Sequence, residues 1–63
     1  MTQENMMRVL YHHGIDYHPC ITSDGHCVEV AEDYTDHGKP GREWRIMNPS
    51  EWTLTDLMKW LGY

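Results

Sequence analysis

The chain contains no phenylalanine, only two cysteines and only three prolines, and between Val9 and Gly38 it has no lysine or arginine. Each shortage excludes something. No apolar run approaches the roughly 20 residues that a helix needs to cross a bilayer, so no membrane association is expected. Met1-Thr2-Gln3-Glu4-Asn5 lacks the basic start and apolar stretch of a secretory signal, and the expected location is cytoplasmic. In that compartment two cysteines are expected to stay reduced. Neither Cys-x-x-Cys nor His-x-x-x-His occurs, so the spacings that make a zinc assignment strong are missing. Nucleophile elbows, phosphate-cradling glycine loops and paired-carboxylate motifs are missing too. A domain this small has little room to bury a substrate, and the protein is not expected to be an enzyme.

The missing cations leave a one-signed stretch. Asp16, Asp24, Glu29, Glu32, Asp33 and Asp36 fall in it, before Lys39, Arg42 and Arg45 arrive, and the net charge is −5. A general nucleic-acid binder shows the opposite sign. Lys39, Arg42 and Arg45 around Trp44 are too few to reverse it, so direct nucleic-acid contact is not expected. A protein partner with a basic surface is the better match.

What is present is aromatic. Trp44, Trp52, Trp60 and four tyrosines carry large areas to bury, which argues against disorder. Sixty-three residues make one domain, 1–63, near the lower limit for folding unaided.

Residues 26–48 read as a β-hairpin. Val28, Val30 and Tyr34 alternate with Glu29 and Asp33 in the first arm, and Trp44 and Ile46 alternate with Glu43 and Arg45 in the second. His37-Gly38-Lys39-Pro40-Gly41 supplies the turn. Charge suggests a register with Tyr34 facing Trp44, Asp33 facing Arg45 and Asp36 facing Arg42. Ahead of the hairpin, 16–22 reads as an edge strand because Pro19 cannot donate to a ladder, and Thr22-Ser23-Asp24-Gly25 as a turn. A two-residue loop there sets Cys20 against Cys27; a three-residue loop sets Cys20 against Val28.

Helices are expected at both ends. Over 2–13, Thr2 is the candidate cap, Gly14 the stop, and Met6, Val9, Leu10 and His13 form one stripe. At the other end Asn48-Pro49-Ser50-Glu51 and Thr53-Leu54-Thr55-Asp56 are two successive start signals. Leu54, Leu57, Met58 and Leu61 follow as an apolar stripe closed by Gly62. The expected fold is a small α+β domain, α-β-β-β-α, with a three-stranded antiparallel meander whose one face carries both helices.

The expected partner-binding residues are Asp24, Glu29, Glu32, Asp33 and Asp36, joined by Trp52 and Trp60, which lie off the centre of the second helical stripe. No catalytic residue and no cofactor is assigned. The alternative site is metal. His12, His13, His18, Cys20, His26 and Cys27 crowd into one segment, and His18, Cys20, His26 and Cys27 would be a zinc-stabilising set if the hairpin brings them together. An edge strand at 16–22 also allows a homodimer. In size, charge and aromatic content, though in no specific motif, the chain resembles the small acidic accessory proteins of phages and mobile elements. Some of those inhibit a host nuclease or regulator by presenting a negative surface, which implies an inhibitor that binds a nucleic-acid-handling protein.

Overall fold

In the computed structural model, which describes residues 1–63, the elements follow the expected order. Helix α1 (Gln3–His12) leads into strands β1 (Tyr17–Thr22), β2 (Gly25–Asp36) and β3 (Lys39–Met47), then a 3-10 turn at Pro49–Glu51 and helix α2 (Leu54–Trp60). The strands form one antiparallel sheet in the order β1-β2-β3.

Local chemistry sets the helix ends. The Thr2 hydroxyl accepts from the Asn5 N–H at 3.1 Å, and the Thr53 hydroxyl accepts from the Asp56 N–H at the same distance, each satisfying a donor that the first turn leaves free. Both helices close in the same way. Ile15 N–H bonds to the Leu10 carbonyl and Gly14 N–H to that of Tyr11; Tyr63 N–H bonds to the Met58 carbonyl and Gly62 N–H to that of Lys59. This is the Schellman arrangement, and it puts Gly14 at φ +69° and Gly62 at φ +104°. Asn48 gives its short turn no side-chain cap. Its carboxamide oxygen is buried without a hydrogen-bond partner, and Thr53 does the capping instead.

Met6 and Leu10 from α1, Val28 and Val30 from β2, Met47 from β3 and Leu57 from α2 make the fully buried core, with Val9, Ile15, Tyr17, Trp52, Trp60 and Leu61 packed around them. Leu54, expected in the apolar stripe, is 55% exposed. It is the first residue of a helix of only seven, and it lines a shallow surface depression with Met1, Asn5, Arg8 and Val9 instead of reaching the core.

The second hairpin departs from the register that charge suggested. Its turn is His37-Gly38 alone, with φ of +50° and +79°, the two-residue type that matches strand twist. Lys39, Pro40 and Gly41 therefore belong to β3. Asp36 faces Lys39, Tyr34 faces Gly41, Asp33 faces Arg42, Ala31 faces Trp44 and Glu29 faces Ile46. Relative to the expected pairing the strands slip by three residues, an odd number, which moves Trp44 and Ile46 to the opposite face from Val28 and Val30. Both are exposed, at 43% and 53%. Glu32 ends directly opposite Glu43, a like-charge juxtaposition that costs the pairing some stability; Arg45, 3.5 Å from Glu32, offsets part of it.

In the first hairpin the two-residue loop is the one realised. Thr22 faces Gly25 and Cys20 faces Cys27. The two cysteines, with Cα atoms 5.0 Å apart, are joined in a disulfide, which corrects the expectation that they stay reduced.

Candidate protein-binding face

The helices cover one side of the sheet and leave the other open. Pairing and alternation place His18, Cys20, Cys27, Glu29, Ala31, Asp33, Arg42, Trp44 and Ile46 on the open side. His18 on β1 and Trp44 on β3 lean toward each other over the central strand, with ring centroids 4.9 Å apart and planes tilted by 30°. Ala31, directly opposite Trp44, is buried although it belongs to the uncovered face; Cys27 is buried at the disulfide. Ile46 stands beside the ring pair with Glu29 directly opposite it.

Charge on this face is arranged around one cation. The Arg42 guanidinium donates to both carboxylate oxygens of Asp33, at 2.6 and 3.1 Å, and to Asp16 at 2.8 Å. It also lies 5.7 Å from the centroid of the Trp44 ring, within the distance at which a cation is attracted to an aromatic face. The Arg42 hydrogen bond holds the Asp33 carboxyl below its ordinary range, against a smaller opposing effect of desolvation. Asp33 and Asp16 in turn push Arg42 further up. Two carboxylates on one guanidinium leave a negative balance, and Glu29 adds to it without a salt bridge of its own. The face is apolar and aromatic at its centre and acidic around it.

The residues expected to bind a partner do not gather in one place. Glu29 and Asp33 lie on the open face. Asp24 is in the β1–β2 turn and Asp36 at the turn end of the β2–β3 hairpin, 3.4 Å from His37. Glu32 points to the helix-bearing side and pairs with Arg45. Trp52 and Trp60 are half-buried against the core, Trp52 with the Arg45 guanidinium 5.5 Å from its ring centroid. The arginine pairing differs from expectation as well: Arg42 binds Asp33 and Asp16, and Arg45 binds Glu32. The residues missed as interface candidates are His18, Trp44 and Ile46. The signal that could have found Trp44 and Ile46 is His37-Gly38, a two-residue turn whose length sets their face; the face of His18 follows from the two-residue Ser23-Asp24 loop.

The alternative zinc set does not converge. Cys20 and Cys27 are bonded to each other, and His26, opposite Ile21, is on the other face from His18. No group of three or more His, Cys, Asp or Glu side chains is placed to hold a metal ion. The largest surface depression, about 530 Å³, lies along the hairpin at Asp33, Tyr34, Thr35, Pro40, Gly41 and Arg42 and is open to solvent. No helix is long and apolar enough to cross a membrane. No protein-family model matches the chain, and neither a curated protein nor a solved structure matches it significantly.

Proposed function

We propose that the protein is a non-catalytic protein-binding module, of the inhibitor kind, that docks the open face of its sheet on a basic surface of a nucleic-acid-handling partner. The observation that carries this reading is the exposed His18–Trp44 ring pair with Ile46 beside it, set among Asp16, Glu29 and Asp33 with only Arg42 to balance them. Tryptophan is enriched where interface energy concentrates, and an acidic rim steers a basic partner and selects against acidic ones. The depressions on this surface are shallow and open to solvent, with little room to bury a substrate. Of the residues expected from sequence, Glu29 and Asp33 stay in the proposed surface, while Asp24 and Asp36 act at longer range from the hairpin ends.

The test is quantitative capture from a cell extract on immobilised wild type, Trp44→Ala and Glu29→Lys, followed by calorimetry of any protein enriched on the wild type. A specific partner is lost on both variants, and its affinity falls at least tenfold between low and physiological salt. A protein that binds the folded variants as well as the wild type, or binds independently of salt, removes the reading.

A further inference from the structure

The two edges of the sheet differ in what they offer another strand. The Ala31 N–H donates to the Asp16 carbonyl at 3.0 Å, and hydrogen-bonded rows alternate along an antiparallel pair. Pro19 therefore sits in a row that faces outward, and its missing N–H interrupts the outer edge of β1 at its middle. That edge is blunted, which weighs against the homodimer expected through 16–22. Along β3 the two-residue turn makes Asp36 and Lys39 a bonded row, so Arg42, Trp44 and Ile46 turn their backbone groups away from β2. Pro40 is also outward-facing, but it lies at the turn end. Residues 42–46 are all exposed, and β2 is the element packed along β3. An open run of backbone donors and acceptors carrying exposed Trp44 and Ile46 is a template for strand addition.

Charge decides which strand fits. Glu43 and Arg45 share the helix-bearing side. Glu43 makes no salt bridge and lies directly opposite Glu32. An incoming strand must bring a cation to Glu43 and an anion to Arg45. Read in the antiparallel direction, β3 itself does both.

We propose that a second copy of this chain pairs antiparallel with the outer edge of β3 about a two-fold axis through Trp44, joining the two sheets into one. Trp44 then faces Trp44 of the second copy, Arg42 faces Ile46, and Glu43 of each copy faces Arg45 of the other, beside the existing Arg45–Glu32 contact. Other registers fail on physical grounds. Centring the axis on Arg42, Glu43 or Arg45 opposes that residue to its own charge. Centring it on Ile46 runs the pairing past the end of β3 at Met47. Axes between residues oppose outward-facing to inward-facing backbone and cannot form a ladder. The contact is shorter than a standard interface of roughly 1,200 Å² or more, so dissociation is expected at about 10–100 µM.

The proposal does not rest on the partner-binding reading, because Glu43 lies on the face away from His18, Glu29 and Asp33. The experiment is sedimentation equilibrium of the full chain from about 1 µM to about 1 mM, a range chosen to bracket that affinity, with a circular-dichroism melt of each variant. Wild type is expected to rise from 7.5 kDa toward twice that mass. Glu43→Arg sets a cation opposite Glu32 within the chain, so it folds at least as stably, yet it opposes Arg45 of the second copy and weakens association roughly tenfold or more. The charge swap Glu43→Arg with Arg45→Glu restores wild-type association. A wild type that stays monomeric throughout, or a folded Glu43→Arg that associates as the wild type does, overturns the proposal.

Discussion

Asp33 and Arg42 face each other directly across β2 and β3, and the guanidinium meets both oxygens of the carboxylate, at 2.6 and 3.1 Å. Arg42 reaches on to Asp16, the residue just before β1. One side chain thus crosses the sheet and links all three strands on the open face. Because it sits in solvent, its effect is expected in titration behaviour more than in stability.

The hydrogen bond from Arg42 holds the Asp33 carboxyl below its ordinary value of 3.8. A depressed carboxylate contributes stability that is present above the unfolded value and is lost as pH falls through the folded one. The contribution from this pair is therefore complete at neutral pH and disappears only in acid below pH 3.8. A carboxyl NMR titration should show the Asp33 midpoint below 3.8. In Arg42→Gln that midpoint should return upward; an unchanged midpoint would mean that the pair does not persist in solution.

Much of the fold is legible in the sequence, and the limits have a single physical origin. Thr2, Gly14, Thr53 and Gly62 state the helix ends because capping is local chemistry. The alternation of Val28 and Val30 states the core strand because one face must be buried. The pairing of β2 with β3 is not local, and like-charge avoidance at Asp33 and Glu43 is worth less than the turn that His37-Gly38 makes. Once the turn takes two residues instead of five, Trp44 and Ile46 change faces, and the candidate surface moves with them. The acidic residues are evident in the chain, and alternation along β2 already separates Glu32 from Glu29, but only the fold places Trp44 and Ile46 beside Glu29 and Asp33.

His37 is the one residue other than glycine with positive φ, at the first position of a turn that favours asparagine followed by glycine. The left-handed region costs an ordinary L-residue about 1 kcal/mol or more. His37→Asn should therefore raise the urea midpoint, by up to about 1 kcal/mol in free energy, with the slope unchanged. The Asp36–His37 contact at 3.4 Å is fully exposed on the histidine side and should cost little to lose. A lower midpoint would show that His37 has contacts in the turn that offset its backbone.

The Cys20–Cys27 bond closes a short loop around Ser23-Asp24. Chain-entropy reasoning assigns a loop of this length about 2 kcal/mol of stability, or roughly 15 °C of melting temperature in a domain of this size. Cys20→Ala with Cys27→Ala should lower the melting temperature by that amount without disturbing the strand pairing, since the register is set by the turn. Alkylation before extraction and intact-mass analysis would show whether the bond exists in cells. Free thiols throughout would mean that the protein folds without the bond in cells and carries correspondingly less stability.

The sharpest contrast in α2 is between two leucines three residues apart. Leu57 is fully buried in the core, and Leu54 is 55% exposed. Deleting a buried leucine side chain costs about 3 kcal/mol through lost transfer energy and the cavity left behind, while an exposed one leaves no cavity. Leu57→Ala should therefore remove most of the stability available to a core this small and broaden or abolish the thermal transition. Leu54→Ala should shift the midpoint by under about 1 kcal/mol. α2 is a seven-residue helix, too short to be stable apart from its packing. The Leu57 substitution should therefore also release Trp60 and Trp52 from the core, visible as a red shift of tryptophan emission that the Leu54 substitution does not produce. Equal effects at the two positions would mean that Leu54 contributes as much to the docking of α2 as Leu57, against the exposure that separates them here.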